Sequence, residues 1–292
     1  MTSLLRVALG EYDTGFHTPA RSLARAADLV ARAASAGARL VVLPETCVTG
    51  FTMEPARFAE DEGGAHSRAL AGLACEHGVW IIAGLARRSD DARSTAADLP
   101  RAGVTNSAVC IDPNGREVGV YHKQRLFSYG GEHEQYSSGN RPTIIAIDGL
   151  RVSPFICYDL RFPELFRAVA PDIDVIVVIA NWPAVRRAHW DVLVRARAIE
   201  NQCFVVAVNR IAEGGGIEYD GGSVAYDPWG ERIDTTIEGE SPRIVALDVR
   251  RVAETRAHYP FLADLNERMP SRRGHLQKVG QPPHLPDLRA AL

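Results

Sequence analysis

The feature that most constrains this chain is an alternation. Short runs of apolar, largely β-branched residues at 38–43, 79–84, 143–147, 151–156, 175–180 and 204–208 are separated by stretches with helical spacing. Runs this continuous have no polar face, so each suits a strand covered on both sides. Thr18-Pro19 offers a cap and a first helical residue for a helix reaching about Ser35, with Gly37 to stop it. Residues 188–200 set Trp190, Leu193, Val194 and Ala198 at helical spacing. Strands and helices in this order predict a layered α/β fold, and 292 residues that are 46% hydrophobic suffice for a substantial core.

Two segments interrupt the pattern. Asp112-Pro113-Asn114-Gly115 and Asp227-Pro228-Trp229-Gly230 each follow a strand-like stretch and suit a tight turn into a return strand. They are either echoes of one unit or two uses of a favoured turn. From about Ala253 the apolar periodicity fades and Pro260, Pro270, Pro282, Pro283 and Pro286 accumulate. This divides the chain into a domain over 1–252 and a Pro-rich tail over 253–292 that packs on the domain or on a partner subunit. The polar, Ala-rich stretch 89–101 is expected to be a surface loop.

A formal net charge of -3 provides no basic field for a nucleic acid or an anionic membrane surface, which leaves small molecules as the expected ligands. The first ten residues lack the charged and apolar blocks of an export signal, and no stretch is long enough to span a bilayer, so the expected location is the cytoplasm. The five cysteines are dispersed, with no paired C-x-x-C spacing, and predict neither a disulfide framework nor a zinc site.

Among them Cys157 stands apart. It closes the run Val152-Ser-Pro-Phe-Ile and precedes a segment in which Pro163 suits the first turn of a helix. On such a turn a helix N-terminus favours the thiolate, and free backbone N–H groups can hold an oxyanion. A lone cysteine is otherwise usually a small core hydrophobe, the role expected for Cys47, Cys75, Cys110 and Cys203. Glu45 ends the run Leu40-Val-Val-Leu-Pro, at the strand end where open α/β sheets bind ligands, and suits either a cap, an ion pair or a general base. Lys123 closes Glu117-Val-Gly-Val-Tyr-His in the same manner and is either a solvated lysine or a cation for a developing oxyanion. Together the three mark one crevice. Gly214-Gly-Gly216 lacks the context of a phosphate loop, and His122 and His133 are expected to be structural.

The flanks of these residues carry a resemblance. Leu43-Pro-Glu45-Thr-Cys-Val-Thr-Gly-Phe51, Tyr121-His-Lys123-Gln-Arg-Leu-Phe127 and Ile156-Cys157-Tyr-Asp-Leu-Arg-Phe-Pro-Glu164 resemble, in order, the glutamate, lysine and cysteine motifs of the nitrilase superfamily of carbon-nitrogen hydrolases. The similarity continues through Ala180-Asn-Trp-Pro183, 196–202 and Val208-Asn-Arg210 to Tyr226-Asp-Pro-Trp-Gly230. It implies a four-layer α-β-β-α sandwich, a homodimer or larger homo-oligomer, and neither a metal nor an organic cofactor. It further implies that Cys157 is the nucleophile, Glu45 the general base and acid, and Lys123, with the Tyr158 N–H, the support for the oxyanion. A second active-site glutamate common in the superfamily maps best onto Glu132, with Glu134 the alternative.

Within the superfamily the wording around Cys157, Asn181-Trp-Pro183, 127–140 and 196–202 is closest to the ω-amidases, which hydrolyse the terminal amide of 2-oxo acids. The alternatives are a deaminated-glutathione amidase or N-carbamoyl amide hydrolase with the same triad, then a nitrilase, and, outside enzymes, a catalytically silent binding protein. A cysteine protease is disfavoured because no histidine pairs convincingly with Cys157. An anionic substrate needs a cation in a closed pocket, for which Arg125, Arg161, Arg186 and Arg187 are the candidates. Phe51, Phe127, Tyr158, Arg161 and Trp182 are the residues expected to bind substrate.

Overall fold

In the computed structural model, residues 4–88, 103–236 and 242–265 are described. The stretch 89–101 and the tail beyond 265 therefore lie outside the described residues. The first half of the chain builds a sheet from β1 (Leu4–Leu9), β2 (Leu40–Val42), β3 (Trp80–Arg88), β4 (Val104–Ile111) and β5 (Glu117–His122), with α1 (Pro19–Ser35), α2 (Pro55–Phe58), α3 (Ala65–His77) and α4 (Glu132–Gln135) between or after them. The second half adds β6 (Ile145–Ile147), β7 (Leu150–Ile156), α5 (Pro163–Arg167), β8 (Val175–Ala180), α6 (Arg187–Asn201), β9 (Phe204–Asn209), the hairpin β10 (Ile211–Gly214) and β11 (Ile217–Asp220), and β12 (Val224–Tyr226). The last elements are β13 (Ile244–Asp248) and α7 (Arg251–His258).

Two sheets result, ordered β13-β1-β2-β3-β4-β5 and β12-β9-β8-β7-β6. β1, β2 and β3 run parallel, as do β7, β8 and β9, which is why their sequences are apolar on both faces. Alternate residues divide the labour. Val7, Leu9, Val42 and Cys110 of the first sheet join Phe155, Val178 and Val206 of the second in one buried cluster, which also takes in Trp190, Val194 and Ala198 of α6. Ala8, Val41, Ile81 and Val109 face the other way, onto α1 and α3. The layers are thus α-β-β-α, as the resemblance implied.

Three local expectations differ from what forms. Asp112 and Asp227 make the same turn, each carboxylate accepting from backbone N–H groups two and four residues on. The first turn joins two full strands, whereas the second leads only to a single bridge between Tyr226 and Arg232. Residue 253 falls inside α7, a helix the fading periodicity does not announce because only Val252 and Thr255 of it are buried. Arg256 ties α7 to the domain through the carbonyls of Ala170, Ile173, Asn201 and Gln202. Cys75 is exposed on α3, since its side of the helix turns away from the sheet, while Cys47, Cys110 and Cys203 are buried. Among the described residues no helix is long and apolar enough to cross a membrane.

Candidate active site

The antiparallel pairs β3–β4 and β4–β5 bring β5 back parallel to β3, so the carboxyl ends of β2, β5, β7 and β8 lie at one end of the sandwich. Glu45 follows β2 by two residues beyond Leu43, Lys123 follows β5, Cys157 follows β7 and Asn181 follows β8. Close packing fixes two of these ends. A Cβ on Gly84 would lie 2.5 Å from the Glu45 Cα, and one on Gly139 would lie 2.2 Å from the His122 carbonyl oxygen. Only glycine lets β3 support the Glu45 turn, and lets the 132–139 segment close over the end of β5.

Glu45, Lys123 and Glu132 are at most 1% exposed. The Lys123 ammonium donates to Glu45 Oε1 at 2.8 Å and to Glu132 Oε1 at 2.9 Å. Asn106 Nδ2 donates to the same two oxygens at 2.7 and 3.0 Å. The other oxygen of Glu45 accepts from the Asn181 N–H at 2.8 Å, and that of Glu132 accepts from the Phe127 N–H at 2.6 Å. Each carboxylate is thus held at both oxygens. Glu134, in contrast, is exposed, so of the two candidate glutamates only Glu132 reaches the lysine.

Cys157 opens a 3-10 turn, Cys157–Arg161, and has a left-handed φ of 45°. A non-glycine residue in that region is strained, and such strain accompanies nucleophiles carried on sharp strand-to-helix turns. Asp159 pins the turn: its carboxylate accepts from the N–H groups of Ile156 at 3.0 Å and Arg125 at 2.8 Å, and from the Tyr121 hydroxyl at 2.8 Å. Burial raises the Asp159 carboxyl to about 6, with Lys123 and these donors opposing a further rise. The thiol itself sits 3.8 Å from the Asn181 carbonyl oxygen, to which it donates weakly.

The turn was expected to favour the thiolate, and the electrostatics run the other way. Burial, then the Glu45 carboxylate, push the Cys157 thiol well above its usual value, and Lys123 offsets this only in part. Burial alone would lower Lys123, but the carboxylates of Glu132 and Glu45 outweigh it and hold the amine well above its usual value. The resting site therefore contains a neutral thiol beside a fixed ammonium ion. Its proton leaves only if a neighbouring base takes it during attack.

Glu45, Lys123 and Cys157 form the floor of a cleft of about 450 Å³, solvent at its mouth included, with Phe51, Phe127, Tyr158, Arg161 and Trp182 among its walls. All five residues expected to bind substrate thus line it. Of the four candidate arginines, Arg161 and Arg186 reach the cleft, whereas Arg125 pairs with Glu164, and Arg187 with Asp191 and Asp220. Ile217 and Tyr219 of the β10–β11 hairpin also line it, and nothing in their sequence announces this. Asn106 and Asn181 were likewise not singled out. Each leaves a signal: Asn181 is a polar residue closing an apolar strand, and Asn106 sits in a buried polar triplet, Thr105-Asn106-Ser107, inside one. His122 bonds to Thr105 and Ser107 outside the cleft. Among the described residues no group of three or more His, Cys, Asp or Glu side chains converges as metal ligands would.

A half-buried cysteine beside a buried lysine and pair of glutamates, at the strand ends of a two-sheet sandwich, defines a cysteine hydrolase of the α-β-β-α class. The chain belongs to the carbon-nitrogen hydrolase family, whose profile matches residues 6–257. It is 35% identical over 234 residues to the omega-amidase YafV of Escherichia coli K12, covering 79% of this chain and 86% of that one. To the 2-oxoglutaramate amidase of Bacillus subtilis it is 31% identical over 259 residues, 88% and 96% of the two chains. Among solved structures, XC1258 of Xanthomonas campestris, a CN-hydrolase superfamily protein with an arsenic adduct in its active site, aligns with a TM-score of 0.81 at 32% identity, over 92% of this chain and 99% of that one.

Proposed function

We propose that the protein is an ω-amidase-type enzyme, which hydrolyses the terminal amide of a short carboxylate-bearing substrate such as 2-oxoglutaramate or 2-oxosuccinamate. The observation that carries the reading is the union, in one small cleft, of the Glu45–Lys123–Glu132 cluster, the half-buried thiol of Cys157 and two guanidinium groups. The similarity to an omega-amidase and a 2-oxoglutaramate amidase supports the same substrate class.

The chemistry follows from the charges. Glu45 takes the proton of Cys157 as the sulfur attacks the amide carbon, so a thiol that is neutral at rest becomes a nucleophile only when substrate is present. The carbonyl oxygen gains the negative charge, and the Lys123 ammonium with the Tyr158 N–H stabilises it. Glu132 positions Lys123. As the tetrahedral intermediate collapses, the C–N bond breaks, Glu45 returns its proton to the leaving nitrogen, and ammonia departs from a thioester. Water then attacks the thioester carbon and gives a proton to Glu45. The C–S bond breaks, the sulfur recovers that proton, and the acid is released. In the same reading Phe51, Phe127, Tyr158 and Trp182 shape the cleft around a short chain.

We also read the protein as cytoplasmic and as a homodimer or larger homo-oligomer. Exposed Val192 and Ile199, seven residues apart on one face of α6, support an apolar contact with a second copy. Size-exclusion chromatography with light scattering tests the assembly. The activity is tested by ammonia release from a panel of 2-oxo-acid amides, N-carbamoyl compounds, other amides and nitriles. The 2-oxo-acid amides should lead, and Cys157→Ala should abolish turnover. Turnover that survives this substitution removes Cys157 from its role, and a panel led by nitriles or uncharged amides overturns the substrate class.

A further inference from the structure

We infer that Arg186 receives the carboxylate of the substrate and sets the selectivity of the cleft for anionic amides, an inference that rests on the amidase reading above. The two cleft arginines are differently engaged. Arg161 lies over the Trp182 ring, 4.8 Å from its centre, and places one N–H 3.2 Å from His189 Nδ1. Arg186 lies over the Phe127 ring at 5.3 Å. Among the described residues its guanidinium makes no hydrogen bond and no ion pair, so its donor edge is free. A stacked guanidinium is fixed in plane by the ring beneath it, and its edge matches a carboxylate bidentately.

Its backbone explains why it stays there. The Arg186 carbonyl accepts from Trp182 Nε1 at 2.8 Å, and its N–H donates to the Pro183 carbonyl at 3.0 Å. The 3-10 turn Ala184–Arg186 is thereby tied to the strand end that also carries Asn181. Phe127, the ring under the guanidinium, is held through its N–H by Glu132, the carboxylate that also holds Lys123. One glutamate therefore sets the distance between the cation at the reacting carbon and the seat of the cation at the far end of the substrate.

Charge decides the class of ligand. With the thiol neutral, Glu45 and Glu132 contribute two negative charges to the site, and Lys123, Arg161 and Arg186 contribute three positive ones. An uncharged amide leaves both guanidinium groups with water. An amide bearing one distal carboxylate neutralises the excess and replaces that water with charge-assisted hydrogen bonds. Arg161 is then the second cation of the same wall, partly committed to His189.

The test compares kcat and KM for 2-oxoglutaramate with those for an uncharged amide of similar length, butyramide, in wild type, Arg186→Gln and Arg186→Lys. Wild type should prefer the anion. In Arg186→Gln the ratio of kcat/KM values, anionic over neutral, should fall roughly 10- to 100-fold, carried mainly by KM, as expected for losing a hydrogen bond to a charged group. Arg186→Lys should restore part of the ratio. A ratio unchanged in Arg186→Gln overturns the assignment, as does an equal loss on both substrates, which marks a structural role. If wild type itself ignores the anion, the substrate reading fails separately, and the arginine is still tested by alkylation of Cys157. There the iodoacetate-to-iodoacetamide rate ratio should drop several-fold in Arg186→Gln if the guanidinium attracts anions to the cleft, and its constancy rejects that role.

Discussion

Replacing Glu132 by glutamine keeps its shape and removes its charge, and the geometry dictates the consequence. Oε1 accepts from Lys123 and Asn106, and Oε2 from the Phe127 N–H. A glutamine has one carbonyl oxygen, so its NH₂ must face either the lysine or the Phe127 amide, donor against donor. Losing a hydrogen bond to a charged group costs about 1.5–3 kcal/mol, and a buried unsatisfied donor adds about 1–3 kcal/mol. Where this falls on the placement of Lys123 in the transition state, kcat should drop on the order of 10²–10⁴. Uncharged amides should show this drop in full, unlike their response to Arg186→Gln, and anionic amides should lose more, because Glu132 also holds the ring that seats Arg186. The charge of Glu132 is also one of those that raise the Cys157 thiol, so at fixed pH iodoacetamide should alkylate Cys157 faster in Glu132→Gln than in wild type. Steady-state ammonia release and alkylation followed by mass spectrometry are the assays, with thermal melting to confirm that the variant is folded. A kcat within about fivefold of wild type, equivalent to roughly 1 kcal/mol, would refute the idea that Glu132 positions the lysine.

Three further outcomes follow from the same geometry. Because the Cys157 thiol is raised, its alkylation rate should keep climbing beyond pH 9, where an ordinary cysteine with a pKa of roughly 8.5 levels off; a plateau near neutrality would contradict a thiol that is protonated at rest. The Asp159 carboxyl is raised to about 6 when folded, so the native state binds its proton more tightly than the unfolded chain and stability from this group falls as pH rises from about 4 to about 6. The stability penalty of Asp159→Asn should therefore be largest near pH 4 and decline to a plateau above 6, as denaturant titration across that range can show; a penalty that grows with pH rejects the assignment. Gly84→Ala places a methyl 2.4 Å from the Thr46 nitrogen and 2.5 Å from the Glu45 Cα, contacts with backbone that cannot rotate away. It should cost about 1–3 kcal/mol or more in stability and slow amide hydrolysis by displacing Glu45, and full activity in this variant would show that the turn is not held by β3.

What could be read from the sequence depended on where a residue sits along its strand. Glu45, Lys123 and Cys157 each close an apolar run, and a polar residue at a strand end needs no knowledge of the sheet partner to be noticed. Asn106 lies within β4, and its importance comes from pairing: β4 sits between β3 and β5, so one amide can reach both the glutamate beyond β2 and the one on α4. No periodicity encodes that. The four arginines near the motifs were equivalent in sequence because arginine is distinguished by its partners, and Glu164, Asp191 and Asp220 take two of them out of the cleft.

The thiol's shift runs against the expectation from its turn for a related reason. A turn at a strand end was expected to supply positive potential, but the same strand ends that gather the site also bury it, and they bring Glu45 to the sulfur along with Lys123. A site assembled this way holds two carboxylates around one ammonium and, before substrate arrives, no anion on sulfur. In the proposed mechanism, attack requires proton transfer to Glu45, and each such transfer weakens one of the two ion pairs that hold Lys123, freeing it toward the new oxyanion. In that mechanism the Glu132 contact keeps the lysine in place while this happens, which gives a physical reason for a second glutamate in a site whose proton transfers need only one.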